Sequence, residues 1–161
     1  MELTQARVRE LFDYREDGNL VWKQRPSNRI KIGDVAGFRR KTGYLEIRVD
    51  GTLYLGHRLI FLFNHGWLPE EVDHQDNDQF NNRIGNLRPA TSSQNKCNRG
   101  KEDCNTSGYK GVWWHQQIGR WRATIAVNGK KKHLGSFQSA EDASKAYQEA
   151  AKRLHGDFAR F

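Results

Sequence analysis

Residues 70–88 read Glu70-Glu71-Val72-Asp73-His74-Gln75-Asp76-Asn77-Asp78-Gln79-Phe80-Asn81-Asn82-Arg83-Ile84-Gly85-Asn86-Leu87-Arg88. Residues 70–78 hold five acidic groups and no lysine or arginine, in a chain whose formal net charge is +8. An acidic block in a basic chain repels phosphate unless a cation reverses its sign. Hard divalent ions do this, because they take carboxylate and amide oxygens and keep waters that phosphate oxygens can replace. Val72-Asp73-His74 sets such a ligand beside the side chain best suited to moving a proton near neutral pH. Asparagines follow at 81, 82, 86, 95 and 98.

Upstream, Thr4 is placed to cap a short helix running through Leu11 and Phe12, with Val8 on the same face. Leu20-Val21-Trp22 reads as a strand after the turn Asp17-Gly18-Asn19, and Gly43-Tyr44 opens a clearer one. There Leu45, Ile47 and Val49 alternate with Glu46, Arg48 and Asp50, the period of a half-buried strand. Asp50-Gly51 predicts a hairpin turn, with Thr52 to Leu55 returning. From His57 to His65 the run Leu59-Ile60-Phe61-Leu62-Phe63 is continuous rather than alternating and ends at Gly66, which predicts a buried helix.

Downstream, Asn98 to Ser107 is polar and aperiodic and reads as a linker. Beyond it, Tyr109 to His115 predicts a strand. Trp121, Ala123, Ile125 and Val127 alternate with polar or small residues, Asn128-Gly129 turns, and Lys130 to Leu134 returns. Ser139 then caps a helix with Asp142 at the capping-box position, Ala143, Tyr147, Ala150 and Leu154 on one face, and Gly156 as a stop. From Gly108 to the end stand ten basic and four acidic groups, most of the chain's excess charge, which predicts a polyanion partner. Cys97 and Cys104 are too few for a disulfide scaffold or a structural zinc site and read as reduced thiols. No long apolar run opens the chain or occurs within it, so the expectation is a cytoplasmic protein with no membrane partner.

Four segments in order, Leu55-Gly56-His57-Arg58-Leu59, Val72-Asp73-His74-Gln75-Asp76, Asn81-Asn82-Arg83-Ile84-Gly85-Asn86-Leu87-Arg88 and Gln94-Asn95-Lys96-Cys97-Asn98, resemble HNH homing-type endonucleases. The likeness is to the phage and intron branch, in which asparagine replaces the last histidine. Ala36-Gly37 and Gly43-Tyr44 also resemble the usual lead-in of these proteins. The resemblance implies a ββα-metal site in which His74 is the general base, Asp73 and Asn95 hold the metal, and Asn86 orients the base and holds the loop. It implies one divalent ion, Mg2+ or else Mn2+. His57 is expected to pack locally at a helix start, Asn81 and Asn82 to form turns, and Arg83, Arg88 and Arg99 are candidates for holding phosphate.

Gly108-Tyr109-Lys110-Gly111-Val112, Trp121, Leu134-Gly135-Ser136-Phe137, Ala140 through Tyr147 and Ala150-Ala151 resemble the plant ethylene-response-factor (Apetala-type) DNA-binding domain. This implies a three-stranded sheet in the major groove of duplex DNA with a helix behind it. Lys110, Trp113, His115 and Lys130, Lys131 and Lys132 match that family's DNA-facing places. Several of these places hold arginine in plant members, so the plant target sequence does not transfer. Arg122 falls on the open face of such a sheet and Arg120 at a strand end, where arginine can bind phosphate or guanine. Trp121 is expected in the core.

The chain is therefore expected to be α+β: an HNH nuclease domain over residues 1–98 with a β-rich N-terminal lead-in, a linker over 99–107, and a small three-stranded antiparallel sheet packed on one helix over 108–161. The expected activity is metal-dependent hydrolysis of DNA, with one active site nicking one strand and a homodimer where both are cut. The alternative is a DNA-binding regulator whose HNH unit is catalytically silent. An RNA-binding module fits less well, because the aromatics alternate with aliphatics instead of forming a stacking platform.

Overall fold

The computed structural model describes residues 3–41, 43–100 and 105–161. The chain forms two compact units, Met1–Ala90 and Thr91–Phe161.

The first unit opens with α1 (Gln5–Leu11), where the Thr4 side chain accepts the Arg7 N–H as expected of a cap. Phe12 does not extend this helix. It takes extended backbone and starts β1 (Phe12–Arg15), pairing with Trp22 of β2 (Asn19–Trp22). At the turn between them Gly18 has φ +88°, and a Cβ there would lie 2.7 Å from the Arg83 nitrogen. Only glycine lets this hairpin tip lie against the Asn82–Arg83 backbone. A three-stranded antiparallel sheet follows, β3 (Phe38–Arg39), β4 (Leu45–Val49) and β5 (Thr52–Leu55), with β4 central. Leu45, Ile47 and Val49 are buried in the predicted alternation, and Asp50 and Gly51 turn with φ of 46° and 84°.

The continuous apolar run becomes α2 (Gly56–His65), stopped by Gly66 in the left-handed conformation, whose N–H donates to Leu62 O. Leu59, Ile60, Phe61 and Leu62 all sit in one core with Phe12, Leu20 and Ile47. Truncating Phe61 to alanine would cost about 3–5 kcal/mol by the usual measure for such cavities. The same core holds Val72 and Leu87, which belong to β6 (Glu71–His74) and β7 (Leu87–Ala90), an antiparallel ribbon. These two anchors fix the ends of the loop over 75–86, and with it the acidic, asparagine-rich stretch.

The second unit begins with α3 (Ser92–Asn98), opened by a reciprocal capping box between Thr91 and Gln94. Of the expected linker, residues 101–104, Cys104 among them, lie outside the described residues. Asn105 and Ser107 belong to the fold: Asn105 Nδ2 donates to Tyr109 O, and Ser107 Oγ donates to Val112 O at 2.8 Å. A three-stranded antiparallel sheet of β8 (Val112–His115), β9 (Arg120–Val127) and β10 (Lys130–Phe137), with β9 in the middle, packs on α4 (Ala140–His155).

Two boundaries differ from expectation. β8 starts at Val112, not Tyr109, because Gly111 turns with φ +71° where a Cβ would lie 2.4 Å from the Tyr147 ring. β10 runs on to Phe137 through an irregularity between His133 and Gly135. Ser139 caps α4, accepting the Asp142 N–H, and Gly156 ends it. Ala143, Tyr147, Ala150 and Ala151 face the sheet, and the three alanines let the helix lie close to Ala123 and Ile125. Leu154, expected on that face, is exposed, because it falls in the last turn, beyond the buried run that ends at Ala151. No helix among the described residues is long and apolar enough to cross a membrane.

Candidate active site and nucleic-acid interface

In the first unit, Asp73 and His74 end β6, opposite Arg88 and Leu87 of β7. Neighbouring strand residues point to opposite faces, so the two side chains meet different partners. Asp73 is 3% exposed and faces Arg88, whose Nε and Nη2 both lie 2.8 Å from Asp73 Oδ2. Arg88, read from sequence as a phosphate contact, is committed to this carboxylate. Arg83 is exposed.

His74 is 7% exposed and faces α2. Its ring stands edge-on to His57, with centroids 4.9 Å apart, and its Nε2 lies 2.8 Å from Asn82 Oδ1. An amide oxygen only accepts, so Nε2 is the donor in this hydrogen bond. His57 is buried beside His74 and Arg58. Burial first, then electrostatic interaction with His74 and Arg58, pushes its pKa down to about 3. It therefore presents a neutral ring, and it packs against Tyr44 on its other side, with centroids 5.7 Å apart.

The loop between the strands is held by its own amides and carboxylates. Asn86 Nδ2 donates to Asp76 Oδ1 at 2.9 Å and to Asn81 O at 2.8 Å, and Asn86 Oδ1 accepts the Asp76 N–H. Asn81 Nδ2 donates to Asp76 Oδ2 at 2.7 Å, and the Asp78 N–H reaches Asp76 Oδ1. Burial of Asp76 works against its charge, but the Asp78 N–H and the Asn81 and Asn86 amides outweigh it and hold the carboxyl below its ordinary range. Outside the loop, Tyr14 Oη accepts the Ile84 N–H at 3.0 Å. Asn86 thus closes the loop, while the amide on His74 Nε2 is that of Asn82, a residue sequence reasoning had taken for a turn former. Asn81 and Asn82 look alike in sequence; only burial, at 2% exposure for Asn82, separates them.

In the second unit, Asn95 sits half-exposed on α3. Lys110, expected on DNA, is half-buried instead. Its Nζ donates to Cys97 O at 2.6 Å and to Arg99 O, satisfying carbonyls at the C-terminal end of α3. Burial lowers its pKa.

The strand register defines the face of the sheet turned away from α4. Trp113, Arg122 and Ser136 form one row across it, Thr124 and His133 the next, Ala126 and Lys131 the third, and His115 pairs with Arg120 at the end. Trp113 is 43% exposed, stacks on His115 at 5.2 Å, and lies beneath the Arg122 guanidinium at 5.6 Å. Lys130 and Lys132 pair with Val127 and Ile125, so they project from the other face of an edge strand, exposed. His133 is a further open-face residue that charge counting missed; its register opposite Thr124 is the signal. Trp121 packs with the core, and Trp114, edge-on to it at 5.2 Å, remains 46% exposed.

Residues 54–97 match the HNH endonuclease family and residues 107–157 the AP2 domain. Protein 3.8 of Escherichia phage T7 is 36% identical over 90 residues, covering 56% of this chain and 74% of that protein. An uncharacterized HNH endonuclease of Acanthamoeba polyphaga mimivirus is 33% identical over 122 residues, 74% of this chain and 62% of that one. An AP2-like ethylene-responsive transcription factor of Arabidopsis thaliana is 34% identical over 70 residues, which are 44% of this chain but 14% of the plant protein. No solved structure matches the chain at comparable stringency. The chain belongs to the HNH endonuclease family, with an AP2 DNA-binding domain following the HNH segment.

Proposed function

We propose that this protein is a metal-dependent endonuclease that hydrolyses phosphodiester bonds of duplex DNA, nicking one strand per active site. The observation that carries the reading is the buried Asp73–His74 pair, with His74 held through Nε2 by Asn82. With Nε2 donating to Asn82, this reading assigns to Nδ1 the proton taken from the attacking water.

Among the described residues no three His, Cys, Asp or Glu side chains converge as a closed metal cage. The Asp73 carboxylate and the Asn95 amide are each hard-oxygen donors of the kind a divalent ion takes together with water and phosphate. These two residues would hold Mg2+ or Mn2+, the amide as the weaker ligand. A bound divalent cation supplies Lewis-acid neutralisation of charge on the phosphate and departing oxygen. Arg88 fixes the Asp73 carboxylate, and the Asp76–Asn81–Asn86 lattice keeps the loop closed. The nuclease segment in this reading runs through α3 to Asn98, and the linker begins at Arg99 and gives way to the DNA-binding domain where Asn105 and Ser107 join that fold.

The open face of the C-terminal sheet enters the major groove, with Arg122, Trp113, His115 and Arg120 at the bases and Lys131 at phosphate. Lys130 and Lys132 reach phosphate from the edge. A homodimer, or two visits, would be needed to cut both strands. The host cytoplasm is the expected compartment, in keeping with the phage relative.

Supercoiled plasmid incubated with Mg2+ or Mn2+ tests the reading: nicking by the wild type and its loss in His74→Ala support it, and equal activity of the two removes His74 from the mechanism. The Arg88–Asp73 pair favours one competing reading, a silent HNH unit in a DNA-binding regulator, since the arginine already neutralises the carboxylate. Tight duplex binding with no metal-dependent nicking would establish that instead.

A further inference from the structure

Residues 23–41 carry Lys23, Arg25, Arg29, Lys31, Arg39, Arg40 and Lys41 against the single acid Asp34. Averaged over the first hundred residues this density disappears, because the acidic block at 70–78 offsets it. Among the described residues, the side chains of Lys23 and Arg40 are the ones of this set that form ion pairs, with Asp13 and Glu46. Arg39, on β3, turns toward the loop over 75–86. Its guanidinium lies over the Phe80 ring, 4.7 Å from the centroid, and donates to Gly43 O and Phe80 O.

Phe80 is 58% exposed. Its N–H donates to Asp78 Oδ1, and its ring lies beside Gly43, where a Cβ would stand at van der Waals distance, 3.4 Å from Phe80 Cε2. Two residues later on the same loop is Asn82, the amide on His74. An exposed aromatic under an arginine, on a basic surface, has the chemistry of side chains that press against base steps while cations take the flanking phosphates.

We propose that Phe80 and Arg39 form a second DNA contact, on the nuclease unit itself, in which Phe80 wedges against a base step and Arg39 binds the adjoining phosphate. The charge around it selects a polyanion, and its place on the loop of His74 selects the duplex being cut; to that extent it rests on the nuclease reading. The contact would keep the scissile step at the active site, whereas the C-terminal sheet supplies affinity elsewhere on the duplex.

The test uses the full chain in EDTA, so that binding is read without cleavage, by fluorescence anisotropy on a labelled mixed-sequence duplex over a range of salt. Phe80→Ala should weaken binding about tenfold, the usual scale of one lost stacking contact, with the salt slope unchanged. Phe80→Tyr should restore affinity. Arg39→Gln should lower the log–log salt slope by about 1, as for one lost phosphate contact. Circular dichroism melts matching the wild type would show that the variants fold, and Phe80→Tyr keeps the test open where Phe80→Ala does not. Unchanged affinity and slope in both variants overturn the proposal. So would loss of self-association in Phe80→Ala, by sedimentation, with DNA binding intact, which would make the patch an interface between copies. Weakened binding in these variants, together with a wild-type chain that never nicks plasmid, would support this contact while sinking the nuclease reading.

Discussion

Replacing Asn82 by alanine removes one oxygen from a site 2% exposed, the acceptor 2.8 Å from His74 Nε2. Two consequences follow at different magnitudes. A buried N–H left without its acceptor costs about 1–3 kcal/mol, and for a unit the size of residues 1–90 this lowers Tm by roughly 5–15 °C. The catalytic effect is separate, because His74 then loses the acceptor that orients its ring through Nε2. With about 1.4 kcal/mol per tenfold in rate, losing an orienting hydrogen bond of that size should slow nicking about 10–100-fold. The assay is the nicking rate of supercoiled plasmid in saturating Mg2+ or Mn2+, well below the melt. Asn82→Asp gives the sharper comparison: a carboxylate accepts the same hydrogen bond but favours the charged ring, so its rate should fall at neutral pH and recover as pH rises. Asn82→Ala nicking within about twofold of wild type, a small fraction of the tenfold expected per 1.4 kcal/mol, would refute the orienting role. An Asn82→Asp profile superimposable on wild type would refute the tautomer argument.

Arg88 and Arg83 should separate by kind. Arg88→Ala leaves the Asp73 carboxylate buried without this arginine and should destabilise the first unit by about 3–5 kcal/mol, whereas Arg83→Ala should leave the melt unchanged and lower the salt slope of DNA binding by about 1. His57 predicts acid sensitivity: its folded pKa is depressed to about 3, so between that value and its ordinary 6.5 the unfolded chain binds the proton and the folded one does not. Stability is then fully present above pH 6.5 and falls as pH drops toward 3, by an amount on the order of 4 kcal/mol. His57→Phe should flatten the Tm–pH curve over that window, and an unaltered curve would contradict this. In the C-terminal sheet, Arg122→Ala should weaken binding by about 1–3 kcal/mol and relax preference at one base position, while Lys110→Ala should leave the salt slope alone and loosen α3, read by its amide exchange.

Much of the fold was legible because its signals are local. Thr4 before Val8, the Leu45–Val49 alternation, Asp50-Gly51, Asn128-Gly129 and the Ser139–Asp142 box each act over a few residues, and the elements stand where these signals put them. Phe12 was misread because helical spacing says nothing of a cross-strand partner; its pairing with Trp22 decided its state. Leu154 kept helical spacing but fell beyond the buried run of α4. The start of β8 depended on the room Tyr147 leaves at Gly111.

The same division runs through the site. By itself, the sequence determined that Asp73, His74, Asn86 and Asn95 occur in HNH order, that the basic excess lies beyond Gly108, and that the C-terminal strands and helix alternate as an AP2 domain requires. Residue identity, order and periodicity survive in one dimension. Tertiary structure alone decided that Asn82, not its neighbour Asn81, takes His74, that Arg88 is spent on Asp73, that Lys110 closes the end of α3, and that Phe80 stands out under Arg39. Each of these is a choice between chemically equivalent side chains or between equally plausible partners. Such choices are set by which group loses its water, and burial is a property of the packed chain rather than of any stretch of it.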